Sequence, residues 1–257
     1  MYHDARPSVW DPQQYLLYAE QRARPFHDLV ARIPVERPDY VVDLGCGPGG
    51  LTAKLERRWP GAKIVGVDAS AEMIQRARGC EGVEFVRADV REWAPEAAVD
   101  VMVSNAMLQW VPEHARVLRR LASFLAPGGW LAFQVPGNYE EPAHVEMRDL
   151  AASARWADRI EVAWPVVHDP VEYVDVLCDL GMAVDVWETT YVHLLDGPDD
   201  VLEWLRGSGL RPVIAQLSEA EADEFVEQYR ARLHEAYPAG RHGTVLRYRR
   251  IFAVGHI

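Results

Sequence analysis

Tyr40-Val41-Val42-Asp43-Leu44-Gly45-Cys46-Gly47-Pro48-Gly49-Gly50 decides the fold. A short apolar run stops at closely spaced glycines, and from Leu51 to Trp59 the apolar residues return at helical spacing. That pattern is a strand, a tight turn and a helix. Toward the C-terminus the same alternation recurs, with strands expected at Ile64–Asp68, Val83–Arg87, Val99–Ser104 and Leu131–Val135 and helices near Ala71–Arg78 and Glu113–Leu125. Later segments at Val184–Tyr191 and Arg250–Val254 complete seven strands. Apolar strands alternating with helices predict an α/β fold, a doubly wound and mostly parallel sheet covered on both faces.

The flanks of this sheet read as helical. Asp11-Pro12 opens a helix through about Arg24, and Pro25-Phe26 starts a second. Beyond Pro136-Gly137-Asn138 a helix is expected over Pro142–Ala154, then one from Asp169-Pro170 to Leu180, stopped by Gly181. Two more follow near Pro198–Arg206 and Ser218–Tyr237, so helical insertions come after the fifth and sixth strands. The chain is expected to form one domain over 1–257, with an N-terminal helical cap over 1–37, a ligand-binding half over 38–136, and the remaining sheet with a helical lid over 137–257.

Composition excludes several classes of function. Lys and Arg number 27 against 39 Asp and Glu, a net charge of -12 that repels polyphosphates and anionic membranes on average. No basic stripe suited to nucleic acid is visible. The start of the chain lacks the apolar core of a signal peptide, and no apolar run approaches the roughly 20 residues that span a bilayer, so a cytoplasmic location is expected. Cys46, Cys80 and Cys178 are odd in number and lack paired metal-ligand spacing, which predicts free thiols and no metal. Nothing calls for an oligomer, and a monomer is expected.

The glycine turn lies at the carboxyl end of the first strand, where ligands bind in open α/β sheets. Gly45, Gly47 and Gly50 also satisfy the G-x-G-x-x-G spacing of dinucleotide sites, so the turn alone does not separate a nicotinamide cofactor from other ligands. Asp43 does, because a carboxylate two residues before the first glycine repels a pyrophosphate and attracts an ammonium. Asp68 ends the second strand, placed for ribose hydroxyls, and Asp89 follows the third, placed for the exocyclic amine of adenine with Val90 as an apolar edge. Three carboxylates at successive strand ends suit a ligand with a ribose, an amino group and a sulfonium, and no phosphate.

These residues, with Asp100-Val101-Met102-Val103-Ser104-Asn105 and Pro127-Gly128-Gly129, resemble the class I S-adenosylmethionine-dependent methyltransferases, a Rossmann-like group. The resemblance implies a cofactor set of Asp43, Gly45, Cys46, Gly47, Asp68, Ala69, Met73, Asp89, Val90 and Asn105. Within it, Asn105 lies on the face from which the methyl leaves, and Trp110 stands near the transferred methyl. A closer resemblance, to the trans-aconitate methyltransferases, is carried by Trp10-Asp11-Pro12 with Tyr15, Arg22-Ala23-Arg24-Pro25, Ser104 to Val111, Pro136-Gly137-Asn138 with Pro142 and His144, Val186 to Tyr191, Gly209-Leu210-Arg211-Pro212 and Arg250-Ile251-Phe252. Gly49-Gly50 departs by replacing a glycine followed by a larger residue, and Arg249 stands where that group can have proline.

The implied reaction is esterification of a carboxylate. Such an acceptor is already ionised at pH 7, so no general base is obligatory and positioning carries the catalysis. Holding a tricarboxylate on an acidic protein requires local positive charge, for which arginine's planar fork is suited. The expected substrate residues are Tyr15, Arg24, His144, Arg148, Tyr191, Arg211 and Arg250, with Tyr139 and His193 as further neutral donors. A methyltransferase for another small acid, a non-catalytic S-adenosylmethionine-binding protein and a nicotinamide-dependent oxidoreductase are the alternatives.

Overall fold

A computed structural model describes residues 18–162, 164–207 and 209–257. Its sheet has seven strands: β1 Tyr40–Leu44, β2 Lys63–Asp68, β3 Glu84–Arg87, β4 Val99–Asn105, β5 Leu125–Pro136, β6 Ala183–Leu195 and β7 Thr244–His256. The spatial order is β3-β2-β1-β4-β5-β7-β6. β1 pairs parallel with β2 and β4, β2 with β3, and β4 with β5, while β7 runs antiparallel to β5. The doubly wound, mostly parallel sheet is as the sequence predicts. The order reverses between β1 and β4, which makes the carboxyl ends of those two strands the switch point where ligands bind.

The helices are α1 Ala19–Ala31, α2 Leu55–Arg58 behind a 3₁₀ turn at Thr52–Lys54, α3 Ala71–Ala77, α4 His114–Ala122, α5 Pro142–Ala151, α6 Pro170–Cys178, α7 Asp200–Arg206, α8 Arg211–Ile214 and α9 Glu219–Ala236. Three expectations need correction, and one lies outside the described residues. The break at Pro25 is absent: α1 runs through it, because Ala23, Phe26, Leu29 and Val30 are all buried and their burial outweighs the lost hydrogen bond. The first half of the expected N-terminal helix and Tyr15 lie outside the described residues. The helix expected from Leu51 to Trp59 is a 3₁₀ turn followed by one α turn. β5 starts at Leu125 rather than Leu131, since Leu125 pairs with Val99 and a register shift carries Pro127-Gly128-Gly129 into the strand.

The chain divides into two compact units. One comprises Ala23–Pro136, Val166–Thr189 and Arg250–Ile257; the other comprises, among the described residues, Gly137–Pro165, Thr190–Arg249 and 18–22. The first holds the parallel strands, and β1 is buried along its whole length, as a central strand covered on both faces must be. Val42, Leu44, Val67, Met102, Phe133 and Val135 of the sheet pack with Leu118 and Leu121 of α4 and with Tyr173 and Leu177 of α6. A capping box opens α6, with Glu172 accepting from the Asp169 amide at 2.8 Å. In the second unit Trp156 meets Phe225 of α9 edge-on at 5.3 Å and donates to Gln228 Oε1 at 3.0 Å. Tyr229 donates to the Ala143 carbonyl at 2.7 Å, tying α9 to α5. No helix among the described residues is long and apolar enough to cross a membrane.

Candidate functional site

The turn after β1 is built by backbone bonds to β2. The amides of Gly45 and Cys46 both donate to the Val67 carbonyl, at 2.7 and 3.1 Å, so the chain folds sharply over the neighbouring strand. Gly45 has φ +79° and Gly47 φ +55°, the left-handed region that costs an L-residue about 1–2 kcal/mol. The two glycines differ in what surrounds them. A β-carbon on Gly45 would overlap the Met107 side chain, whereas one on Gly47 would meet nothing within 4 Å. Gly45 is therefore glycine for internal packing, and Gly47 leaves open space at the switch point.

Carboxylates surround this turn. Asp43, 3% exposed in β1, accepts from Thr52 Oγ1 at 2.6 Å. Burial pushes its pKa up to about 6, the nearby Asp68 charge adds to the rise, and the Thr52 hydrogen bond opposes it. An added positive charge would relieve that cost. Asp68, at the end of β2, accepts from the Gly47 amide at 3.0 Å and from the Ser70 amide at 2.8 Å. One carboxylate thus shapes the glycine turn and the start of α3, and each oxygen keeps a lone pair for a further donor. Ser70 caps α3 by accepting from the Met73 amide at 3.3 Å, which fixes Met73 near Asp68 in sequence and fold. Ala69 between them is exposed.

Asp89 differs from what its position suggests. Both of its oxygens accept from Arg91 Nε at 3.0 Å, one also from Arg91 Nη2 at 2.5 Å and the other from the Arg91 amide at 2.9 Å. These bonds hold the carboxyl below its usual range. An adenine amine would have to share Asp89 with Arg91. Val90 beside it is buried in the main core. Cys46 is also buried, and burial pushes its thiol well up, so it serves as packing surface and not as a nucleophile.

β4 ends beside this turn, and Ser104 Oγ donates to the Leu44 carbonyl at 3.0 Å, joining the two strand ends. Asn105 Oδ1 accepts from Gln134 Nε2 at 2.5 Å, and Gln134 Oε1 accepts from Arg250 Nη1 at 3.4 Å. Ala106 follows with φ +55°, its amide held by the Gln134 carbonyl at 3.0 Å and its own carbonyl held by Gln109 Nε2 at 2.6 Å. Backbone strain at a non-glycine residue marks a position the surroundings over-determine. Gln109 is buried, and its Oε1 has no hydrogen-bond partner among the described residues. Trp110 is 43% exposed, so it is not part of the core. Gln134 and Gln109 are polar residues that sequence reasoning missed. The signal available was a glutamine inside the apolar run Leu131–Val135, where burial requires a partner.

The expected substrate residues fall in both units. Arg250, 7% exposed, lies in the sheet unit opposite Pro136 in the β5–β7 register. Arg24 is in the same unit, exposed on α1 and 3.9 Å from Asp28 one turn on. The second unit holds His144, Arg148, Tyr191 and Arg211. His144 is buried against Asn138, Nε2 to Nδ2 3.2 Å, and burial lowers its pKa to about 4 with help from the Arg148 charge. Arg148 donates to the Tyr139 carbonyl at 2.5 Å and pairs with Glu140 at 3.2 Å. It also lines a cleft of about 340 Å³ with Ala151, Ile160, Glu161 and Trp164. Tyr191 is buried and stacks near His193, centroids 6.4 Å apart, and His193 packs on Trp204 at 4.7 Å. Arg211 is the first residue of α8.

Comparison with known proteins agrees with this geometry. Residues 18–166 match the family model of a methyltransferase domain. Among solved structures, the YcgJ protein from Bacillus subtilis superposes with a TM-score of 0.60 at 13% identity, covering 93% of this chain and 98% of that one. An S-adenosylmethionine-dependent methyltransferase from Mesorhizobium loti gives 0.50 at 20% identity, covering 92% and 98%. At such identities the likeness concerns the fold alone. In sequence, a trans-aconitate 2-methyltransferase of Streptomyces avermitilis is 51% identical over 259 residues, covering 96% of both chains. One of Rhodococcus jostii is 48% identical, covering 97% of this chain and all of its own, and one of Mycobacterium tuberculosis 44% identical, covering 97% of each. With the glycine turn and its carboxylates set at the switch point of the sheet, and likeness of this depth along nearly the whole length, the chain belongs to the trans-aconitate 2-methyltransferase family.

Proposed function

We propose that this chain transfers the methyl group of S-adenosylmethionine to one carboxylate of trans-aconitate, forming a monomethyl ester and S-adenosylhomocysteine. The observation that carries this is the pairing of likeness along nearly the full length to proteins of that named activity with a glycine turn flanked by the carboxylates of Asp43 and Asp68. The residues present fit the cofactor. The open side of Gly47 leaves room for it, Asp43 gains from a positive ammonium, and Asp68 retains acceptor capacity for ribose hydroxyls. Ala69 and Met73 follow Asp68 in the chain and are the further candidates on this side, Val90 offers an apolar edge for adenine, and Asp89 reaches the adenine amine only by sharing with Arg91.

When bound, S-adenosylmethionine supplies an electrophilic methyl on a sulfonium that leaves as a neutral thioether. The protein's task is then to hold an already ionised carboxylate in line with that methyl, which is worth about 7–11 kcal/mol when the geometry is near attack. No side chain has to remove a proton. Arg250 supplies buried positive charge behind Asn105, and Arg24, Arg148, Arg211, Tyr15, Tyr191 and His144 are the further candidates for the remaining carboxylates.

The test incubates the protein with S-adenosylmethionine and trans-aconitate, cis-aconitate, isocitrate, citrate and simple monocarboxylates, following S-adenosylhomocysteine and base-labile ester by mass spectrometry. Preferential turnover of trans-aconitate is expected. Cofactor binding without ester from any of these acids would remove the acceptor assignment.

A further inference from the structure

A buried relay links β7 to the end of β4. Arg250 donates through Nη1 to Gln134 Oε1, and Gln134 donates through Nε2 to Asn105 Oδ1. Gln134 is 1% exposed and faces Asn105 directly in the β4–β5 register. Its direction is dictated by chemistry. A guanidinium only donates, so the glutamine atom toward Arg250 must be oxygen. The atom toward Asn105 is then the NH2, and the asparagine atom that meets it must be oxygen. What remains is Asn105 Nδ2, which has no hydrogen-bond partner among the described residues and sits half-buried at the switch point, next to the turn whose Gly45 packs on Met107.

We propose that Arg250 and Gln134 are positioning residues that lock the Asn105 amide with its NH2 turned outward, so that a neutral donor orients the acceptor's carboxylate at the point of transfer. This rests on the carboxylate-acceptor assignment above. The physical advantage lies in where the charge is kept. A guanidinium in direct contact would repel the positively charged methyl donor and damp the attacking oxygen. Set one glutamine back, it polarises the amide chain, strengthening each link, while the group that meets the acceptor stays neutral. A hydrogen bond to one carboxylate oxygen leaves the other free to attack.

Gln134→Glu tests the relay because it keeps shape and reverses polarity. A carboxylate at that position only accepts, still pairs with Arg250, and forces Asn105 to donate inward and turn Oδ1 outward against the acceptor. The expected result is an unchanged or raised thermal midpoint and unchanged S-adenosylhomocysteine affinity by calorimetry. Trans-aconitate affinity, measured with S-adenosylhomocysteine bound, and kcat/KM both fall on the order of tenfold or more. Gln134→Met lets the asparagine amide take either orientation and gives a smaller loss. In an Asn105→Ala background, Gln134→Glu costs little more, whereas a merely structural role would cost the same in both backgrounds. A Gln134→Glu protein with parental acceptor affinity and kcat/KM, or equal losses in the two backgrounds, overturns the relay alone. A parent protein that forms no ester from trans-aconitate overturns the acceptor assignment and the relay with it.

Discussion

Replacing Gly47 and Gly45 separately by alanine separates a ligand-facing glycine from a packing glycine two residues away. Both have positive φ, so each substitution carries the left-handed backbone cost of about 1–2 kcal/mol. At Gly47 nothing lies within 4 Å of the new methyl, so the backbone term is the whole cost and the thermal midpoint should fall by roughly 2–8 °C. At Gly45 the methyl overlaps the Met107 side chain, adding an overpacking penalty of about 1–3 kcal/mol. Ligand binding should rank them the other way relative to stability. Under the proposed function the cofactor approaches through the space beside Gly47, so Gly47→Ala should lose most S-adenosylhomocysteine affinity while remaining folded. Calorimetry and thermal unfolding with and without S-adenosylhomocysteine measure both effects. At 100 times Kd the parent should gain about 2.7 kcal/mol, and Gly47→Ala should gain almost none. A Gly47→Ala protein with parental affinity, or a Gly45→Ala protein no less stable than Gly47→Ala, would refute this assignment of roles.

Three further expectations follow from charge and burial. Asp43 has a folded pKa of about 6, raised above its ordinary 3.8, so the folded state holds the proton more tightly and its ionisation lowers stability by about 3 kcal/mol as pH rises from 4 to 6. Asp43→Asn should flatten that part of the pH–stability profile, and parental S-adenosylmethionine affinity should decline below pH 6, where the carboxyl must lose its proton to meet the ammonium. His114 and His144 act in the opposite sense: burial depresses both to about 4, so stability is lost as pH falls from 6.5 toward 4, by about 3 kcal/mol each. Chemical denaturation at pH 7 and pH 5 should show it, and a His114→Gln, His144→Gln protein should not lose that stability. Asp68→Asn places an NH2 against one of the two backbone amides of Gly47 and Ser70, costing about 1–3 kcal/mol, and should weaken cofactor binding; equal stability and affinity would mean that Asp68 organises neither.

Much of the scaffold was legible because it is local. The apolar run Tyr40 to Leu44, its glycines, and the recurring strand signals are patterns within a few residues, as are the Asp169-Pro170 cap and the helix start at Ser218. The helix through Pro25 was not legible, because the proline signal is local while the burial of Phe26 and Leu29 that overrides it comes from distant chain. The start of β5 was hidden for the same reason: Pro127-Gly128-Gly129 looks like a turn until Val99 is known to lie beside Leu125.

The sequence by itself determined the alternation of strand and helix, the carboxylates at strand ends and the family, since each depends on residue type and near-neighbour spacing. Only the tertiary structure decided that Asp89 is already engaged by Arg91, that Gly45 serves Met107 while Gly47 faces open space, and that Asn105, Gln134 and Arg250 form one relay. The relay's members come from β4, β5 and β7, separated by 29 and 116 residues, and only the order of strands in the sheet brings them within hydrogen-bond distance.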